Sequence, residues 1–275
     1  MNLTPKTIYI AVLLFVSASA FKIQQKHSRI INGFPSERNQ FPYYVWMLGT
    51  IMEDNSTNYC GGSLISDEWV LTAAHCLIDV SVMRIHLGLL KTMQFDEPGR
   101  IVLTAEKGQY FSHPDFQMNG VINDIGLVRL PKRINFTPSI QKIKLPTTCD
   151  SNSNENIDVI GIGNGLTDDD STKPSPILRW ASFRTISREK CNEVFRFLNF
   201  RTTVICIESP KEVGSSICHG DSGSGLIRRS DNTLIGVASF VADSGCDNGL
   251  PQVFTNIVEY HPWISSITGL DLITC

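Results

Sequence analysis

Three separated segments of the chain carry a serine, a histidine and an aspartate that together could activate a nucleophile. Ser222 lies within CHGDSGSGL, His75 within LTAAHC and Asp124 within NDIGLVRL. A serine hydroxyl is a poor nucleophile at neutral pH, so it needs a histidine to accept its proton and a carboxylate to orient that histidine. The three residues therefore predict acyl-transfer chemistry through a covalent serine intermediate.

The order His, Asp, Ser along the chain, with these flanking residues, resembles the chymotrypsin family of secreted serine endopeptidases. The resemblance covers Ile30 to about Thr268. It implies that Ser222 forms an acyl-enzyme, that His75 is the general base and that Asp124 orients the imidazole, as in the triad for which the family is known.

The same resemblance assigns the groups around the nucleophile. It implies that the backbone N–H groups of Gly220 and Ser222 form the oxyanion hole, where losing one donor typically costs about 10²–10³ in turnover. It also implies that Ser239 bonds the triad carboxylate and borders the substrate. Ser224-Gly225 replaces the family's more usual Gly-Pro. This departure leaves the start of the following strand uncertain.

The elements that must position these residues are predicted to be strands. Short apolar or alternating runs, separated by Gly, Pro, Asn and Asp, lie at 43–48, 69–72, 101–104, 124–130, 158–162, 226–227 and 234–240. Helical patterns occur at about 259–270 and around 187–195. The resemblance implies an all-β fold of two antiparallel six-stranded β-barrels with a C-terminal helix and the active site between the barrels. Prolines between 131 and 146 place the N-terminal barrel at about 30–137 and the C-terminal barrel at about 138–275.

The first 20 residues predict a signal peptide. A basic start with Lys6 is followed by an apolar run from Ile8 to Val16 and by small residues up to Ala20. That run is too short to cross a bilayer, and no later segment is long and uncharged enough to do so. Eight cysteines agree with an oxidising compartment. We therefore expect a secreted, extracellular protein without a membrane anchor.

Residues 21–29 are predicted to be an activation propeptide that precedes a peptidase domain over 30–275. In the resembled family, cleavage after a basic residue, here Arg29, frees the amine of the next residue, here Ile30, to pair with Asp221. Burying an ammonium and a carboxylate is tolerable only as a hydrogen-bonded pair, so the pair can lock the loop around the nucleophile. The uncut chain should be a zymogen, activated by a tryptic protease.

The residues that would form the primary specificity pocket argue against tryptic specificity. Counting back six residues from the nucleophile places Ser216 at the pocket floor, where a trypsin-like enzyme carries an aspartate. Val241 and Gln252 should line the walls, at positions that are usually glycine in chymotrypsin-like enzymes. We expect a preference for small to medium apolar side chains, as in elastase-like relatives, although the amide of Gln252 could add polar recognition.

The resemblance also implies a disulfide framework. It pairs Cys60 with Cys76, Cys191 with Cys206 and Cys218 with Cys246. Cys149 and Cys275 remain, and elimination suggests that they pair. Val258 occupies the position of the family's usual partner cysteine, so a free or intermolecular thiol stays open.

The remaining sequence signals concern partners and modification. Asn55 and Asn135 begin acceptor sequons for glycosylation, and their occupancy is open. Leu89 and Leu90 stand where calcium-binding relatives need a carboxylate, so neither a metal nor another cofactor is expected. Residues 1–29 contain four basic and no acidic residues, so their removal takes the formal net charge from −3 to −7. This acidic chain lacks the basic surplus of a nucleic-acid-binding protein.

These features together predict a secreted, monomeric serine endopeptidase that cleaves protein or peptide substrates, with digestion as its role. The alternative is a secreted binding or venom-type effector with a protease fold and incidental proteolysis. Chains of the second kind normally lose a triad residue, and this chain keeps all three. Covalent labelling of Ser222 distinguishes the two.

Overall fold

A computed structural model describes residues 30–119, 122–148, 154–196, 198, 200–210, 213–242, 244–246 and 248–272. The fold is built from antiparallel strands, with two short helices in the second half of the chain. The predicted all-β class is confirmed. Within the described ranges, no helix is both long enough and apolar enough to span a bilayer.

The first sheet contains seven strands in the order β6-β5-β2-β3-β4-β8-β7. Their bounds are β2 Tyr44–Ile51, β3 Thr57–Leu64, β4 Trp69–Thr72, β5 Val80–Leu87, β6 Ile101–Glu106, β7 Tyr110–Ser112 and β8 Gly126–Arg129. The edge strands β6 and β7 follow each other in the chain and meet at a turn in which Gln109 N donates to Glu106 O at 3.0 Å. No ladder joins these two edges among the described residues, so this half is a curled sheet rather than the expected closed six-stranded barrel.

The second sheet closes into a six-stranded barrel. Its strands are β9 Asp158–Gly163, β10 Arg179–Ile186, β11 Val204–Glu208, β12 Gly225–Arg228, β13 Thr233–Phe240 and β14 Gln252–Asn256. They run in the order β10-β11-β14-β13-β12-β9, and a β9–β10 ladder completes the ring. The short strand β1, Phe34–Pro35, pairs with β10. The first residues of the predicted N-terminal barrel therefore belong to the other sheet.

Two helices follow the predicted helical patterns. Helix α1, Arg188–Val194, begins after Ser187, whose hydroxyl caps it by accepting from Lys190 N. Helix α2, His261–Thr268, follows a 3-10 turn at Ile257–Tyr260 and ends where Gly269 adopts φ 69°. The start of α1 and the end of α2 are thus set by local chemistry that the sequence already carries.

The described residues contain two main apolar cores: the first lies in the first sheet and extends to Ile227 and Leu234 of the second sheet, and the second lies inside the barrel. Met47, Leu71 and Ile85 are fully buried in the first, and Phe183 and Phe254 are buried in the second. The alternation of buried and exposed positions along β6 shows why the pattern predicts a strand there. The chemistry-bearing residues lie at strand ends, outside these cores.

Candidate active site

Strand pairing brings His75 and Asp124 to the same end of the first sheet. Thr72, the last residue of β4, is the cross-strand partner of Gly126, the first residue of β8. His75 lies in the 3-10 turn Ala74–Leu77 just beyond β4, and Asp124 lies just before β8. The register of one ladder therefore places the two side chains side by side.

Asp124 is completely buried and accepts three hydrogen bonds. Its Oδ2 accepts from His75 Nδ1 at 2.8 Å and from Ser239 Oγ at 2.6 Å, and its Oδ1 accepts from His75 N at 3.0 Å. Because Nδ1 donates to the carboxylate, the neutral imidazole keeps its lone pair on Nε2. This tautomer is the one that can accept a proton from a hydroxyl.

Ser222 reaches the same region from the second barrel. Gly61 N on β3 donates to Ser222 O at 2.7 Å, and Cys60, the preceding residue of that strand, is disulfide-bonded to Cys76 beside His75. Ser222 also lines a pocket of about 210 Å³ together with Ser239. The bond from Gly61 to Ser222 thus holds the serine loop against a strand that is itself linked by a disulfide to the histidine turn.

The serine loop has a backbone that only glycine fits easily. Gly220 has φ 92° and Gly223 has φ 77°, and a Cβ on Gly223 would lie 2.2 Å from Thr72 Oγ1. Among the described residues, neither Gly220 N nor Ser222 N donates to a protein acceptor. Two unpaired N–H groups beside the serine are the arrangement that an oxyanion needs.

The side chain of Asp221 is fully buried and accepts two backbone hydrogen bonds. Its Oδ1 accepts from Gly165 N at 2.6 Å and its Oδ2 from Cys218 N at 3.0 Å. Burial raises the pKa of Asp221 to about 7, against the lowering effect of those two N–H groups. A Cβ on Gly163 or Gly165 would collide with the carboxylate, which explains why both positions are glycine.

This chain is not cut before Ile30, so Ile30 has no free amine. Ile30 is fully buried in the second core, and the next residue, Ile31, exchanges two backbone hydrogen bonds with Ser216, at 3.0 and 3.1 Å. Ile30 and Asp221 share no hydrogen bond or ion pair in the described part of the chain. Arg29 lies outside the described residues.

The comparisons with known proteins agree with this geometry. The trypsin family profile matches residues 30–264. The chain belongs to the trypsin family. It is 32% identical over 271 residues to the collagenase of Hypoderma lineatum, which covers 96% of this chain and 99% of that protein. It is 30% identical to the brachyurin of Leptuca pugilator, over 88% of this chain and 99% of the relative. A solved structure of HL collagenase superposes with a TM-score of 0.77 at 32% identity, covering 87% of this chain and 99% of the other. The protein is accordingly a trypsin-family serine endopeptidase.

The residues predicted to form the specificity pocket of this trypsin-family chain divide between two cavities. Val241 and Ser239 line the pocket beside Ser222, as expected. Ser216 and Gln252 instead line a second cavity of about 490 Å³. Ser216 therefore lines a different cavity from the one that Ser222 lines, and its place at the floor of the specificity pocket stays a prediction.

Gln252 explains the division. Its side chain is 3% exposed, and its Oε1 accepts from Ile217 N at 2.9 Å. Ile217 lines the pocket beside the nucleophile, whereas the preceding Ser216 lines the second cavity and donates its hydroxyl to Ile217 O at 2.8 Å. The bond from β14 to Ile217 therefore lies at the boundary between the two spaces.

The structure contains the three disulfides that the resemblance implies: Cys60–Cys76, Cys191–Cys206 and Cys218–Cys246. Cys149 and Cys275 lie outside the described residues. Asn55 and Asn135, the two sequon residues, are both exposed.

One residue that contacts the triad, Thr255, is not marked by any pattern in the sequence. Thr255 on β14 donates its hydroxyl to Asp124 O at 2.7 Å from a fully buried strand position. A buried threonine in a strand is ordinary, so composition and spacing do not mark it. Only the contact between β14 and the loop before β8 reveals it.

Proposed function

We propose that this endopeptidase is secreted as a zymogen and cleaves peptide bonds through an acyl-enzyme on Ser222. His75 accepts the serine proton and returns it to the leaving amine, and Asp124 holds the imidazole in the required tautomer. Gly220 N and Ser222 N bind the oxyanion. The observation that carries this proposal is the buried carboxylate of Asp124, which bonds both His75 Nδ1 and the Ser239 hydroxyl and so keeps the imidazole lone pair on Nε2.

Activation follows from the chemistry of Asp221. In the uncut chain this carboxyl is buried with no cation bonded to it among the described residues, and burial raises its pKa. Cleavage after Arg29 supplies an ammonium at Ile30, which already lies in the second core. Signal peptide 1–20 and propeptide 21–29 are part of this proposal, and both lie outside the described residues.

For specificity, we propose that Gln252 closes the pocket beside Ser222 and limits it to small and medium apolar side chains. The pocket is lined by Ile217, Val241 and their neighbours, without a carboxylate among its lining residues. A lysine or arginine side chain would be desolvated there without a counter-charge, which is strongly unfavourable. Protein digestion outside the cell is the proposed role, supported by the relative named collagenase and by the predicted signal peptide.

A labelling experiment tests the proposal. The full chain is cut with trypsin, freed of trypsin, and treated with an organophosphonate that modifies activated serines. We expect labelling of Ser222 only after the cut, none in Ser222→Ala, and hydrolysis of peptides with Ala or Leu before the scissile bond. Absence of labelling in the cut protein would support the binding-protein alternative, and fast cleavage after Arg would refute the pocket assignment.

A further inference from the structure

The residue before the triad carboxylate has an unusual backbone and a fully engaged side chain. Asn123 adopts φ 53°, the left-handed region in which asparagine is among the few tolerated side chains. Its Nδ2 donates to Asp115 O at 2.9 Å, and its Oδ1 accepts from Tyr260 Oη at 2.9 Å. Both ends of the amide therefore fix the turn that presents Asp124.

Tyr260 is a firm anchor for that turn. It is 5% exposed in the 3-10 turn before α2, and its ring packs edge-on against His113 with centroids 5.4 Å apart. His113 also contacts Trp263 of α2 at 5.2 Å. Burial raises the pKa of Tyr260 to about 12, with Glu259 and Asp124 adding to the effect, so the phenol remains a donor at working pH.

A second contact from the same C-terminal segment reaches the same turn. Thr255 Oγ1 donates to Asp124 O at 2.7 Å. One bond from the C-terminal segment therefore holds each of the two neighbouring residues, Asn123 and Asp124. The carboxylate itself must direct Oδ2 at two donors and Oδ1 at a third. A small rotation of this turn would misalign all three bonds together.

We propose that Asn123 and Tyr260 are positioning residues through which the C-terminal segment aims the triad carboxylate at His75. The inference depends on the proposed role of Asp124 as the group that orients the imidazole. It gives the segment β14 to α2 a part in turnover beyond covering the core. Misplacing a catalytic group by about 1 Å can cost about a hundredfold in rate, so a single hydrogen bond at this place can matter.

The decisive variant is Tyr260→Phe, which removes the phenol and keeps the ring against His113. We expect kcat to fall about tenfold or more, with KM within about twofold, because proton transfer is affected and the pocket is not. The acid limb of the kcat/KM profile should also move to lower pH, since the imidazolium loses part of the stabilisation from a well-aligned carboxylate. Titratable groups near this contact are His113, Asp115, Asp124 and Glu259, and the variant replaces none of them.

Trp263→Phe is the matched control. It loosens packing under the same helix without touching the Tyr260–Asn123 bond, so it should lower the Tm and leave kcat and the acid limb in place. Asn123→Gly is the second test, because glycine adopts the left-handed backbone freely but supplies neither bond. It should reproduce the losses of Tyr260→Phe, and it decides the matter if that variant does not fold.

Wild-type kcat and an unmoved acid limb in Tyr260→Phe, or in Asn123→Gly, would overturn the positioning role. Phosphonate labelling of the wild-type enzyme separates this outcome from failure of the proposed function. A labelled wild type with unaffected variants removes only the positioning role, whereas an unlabelled wild type removes the catalytic role of Ser222 itself.

Discussion

The buried carboxyl of Asp221 should make the uncut chain less stable as pH rises. Its pKa is 3.8 in a free chain and about 7 in the fold, a difference of about three units. At 1.36 kcal/mol per unit, ionised Asp221 costs the folded state about 4 kcal/mol. Below pH 3.8 the group is neutral in both states and the penalty is zero. As pH rises towards 7 the unfolded chain releases its proton first, so stability falls by up to about 1.4 kcal/mol per pH unit and levels off above pH 7.

Asp221→Asn in an uncleavable Arg29→Gln chain isolates this effect. Asparagine is neutral at every pH, so the free energy of unfolding of the variant relative to its parent should rise by about 4 kcal/mol between pH 4 and pH 8. Loss of one acceptor for Gly165 N or Cys218 N adds a constant offset. Urea denaturation followed by circular dichroism at each pH unit measures the difference.

Asp231→Asn is the control for sign. Its pKa is lowered to about 2, chiefly by hydrogen bonding to Arg228, so its stabilisation is present above pH 3.8 and is lost only as pH falls towards 2. Its difference from the parent should therefore be flat between pH 4 and pH 8. A flat difference for Asp221→Asn as well would refute the assignment of Asp221 as a buried, unpaired acid in the uncut chain.

Three further experiments test the site. Ser239→Ala removes a 2.6 Å bond to the buried triad carboxylate and should lower the free energy of unfolding by about 2 kcal/mol, measured in urea, whereas no loss would mean that the bond is dispensable. Gly223→Ala should lower the free energy of unfolding by more than about 3 kcal/mol, because it combines a left-handed backbone with a collision. Its control, Gly249→Ala, lies at φ 70° in open space and should lower it by about 1 kcal/mol. Equal losses in the two variants would refute the close-packing argument. Gln252→Gly should raise kcat/KM for Phe over Ala substrates about tenfold, because it joins the two cavities. Ser216→Asp should confer cleavage after Arg only when it is combined with Gln252→Gly. Cleavage after Arg by Ser216→Asp alone would show that Gln252 does not separate the two cavities.

Much of the fold could be predicted because local chemistry and tertiary structure agree. The apolar run Trp69–Thr72 is fully buried as β4, and Ser187 and Gly269 mark helix ends by capping. Strand β3 is harder to see, because adjacent glycines weaken its pattern. Those glycines are required by neighbours distant in sequence, since a Cβ on Gly61 would overlap Ser224 Oγ. A residue chosen for what packs against it carries little sign of its own secondary structure.

The pocket shows the limit more sharply than the strands do. Counting back from Ser222 fixes where the backbone of Ser216 runs, because the intervening loop has a set length. Counting cannot tell which cavity the Ser216 side chain lines, because this depends on contacts from β14 such as the bond from Ile217 N to Gln252 Oε1. The sequence shows that Gln252 is bulky and polar, but the direction of its side chain depends on the N–H of Ile217, which only the folded loop brings within reach. Backbone positions in this protein thus follow from motifs, whereas the proposed limit on substrate size depends on the partner that one buried amide finds. Specificity should accordingly change with Gln252 before it changes with Ser216.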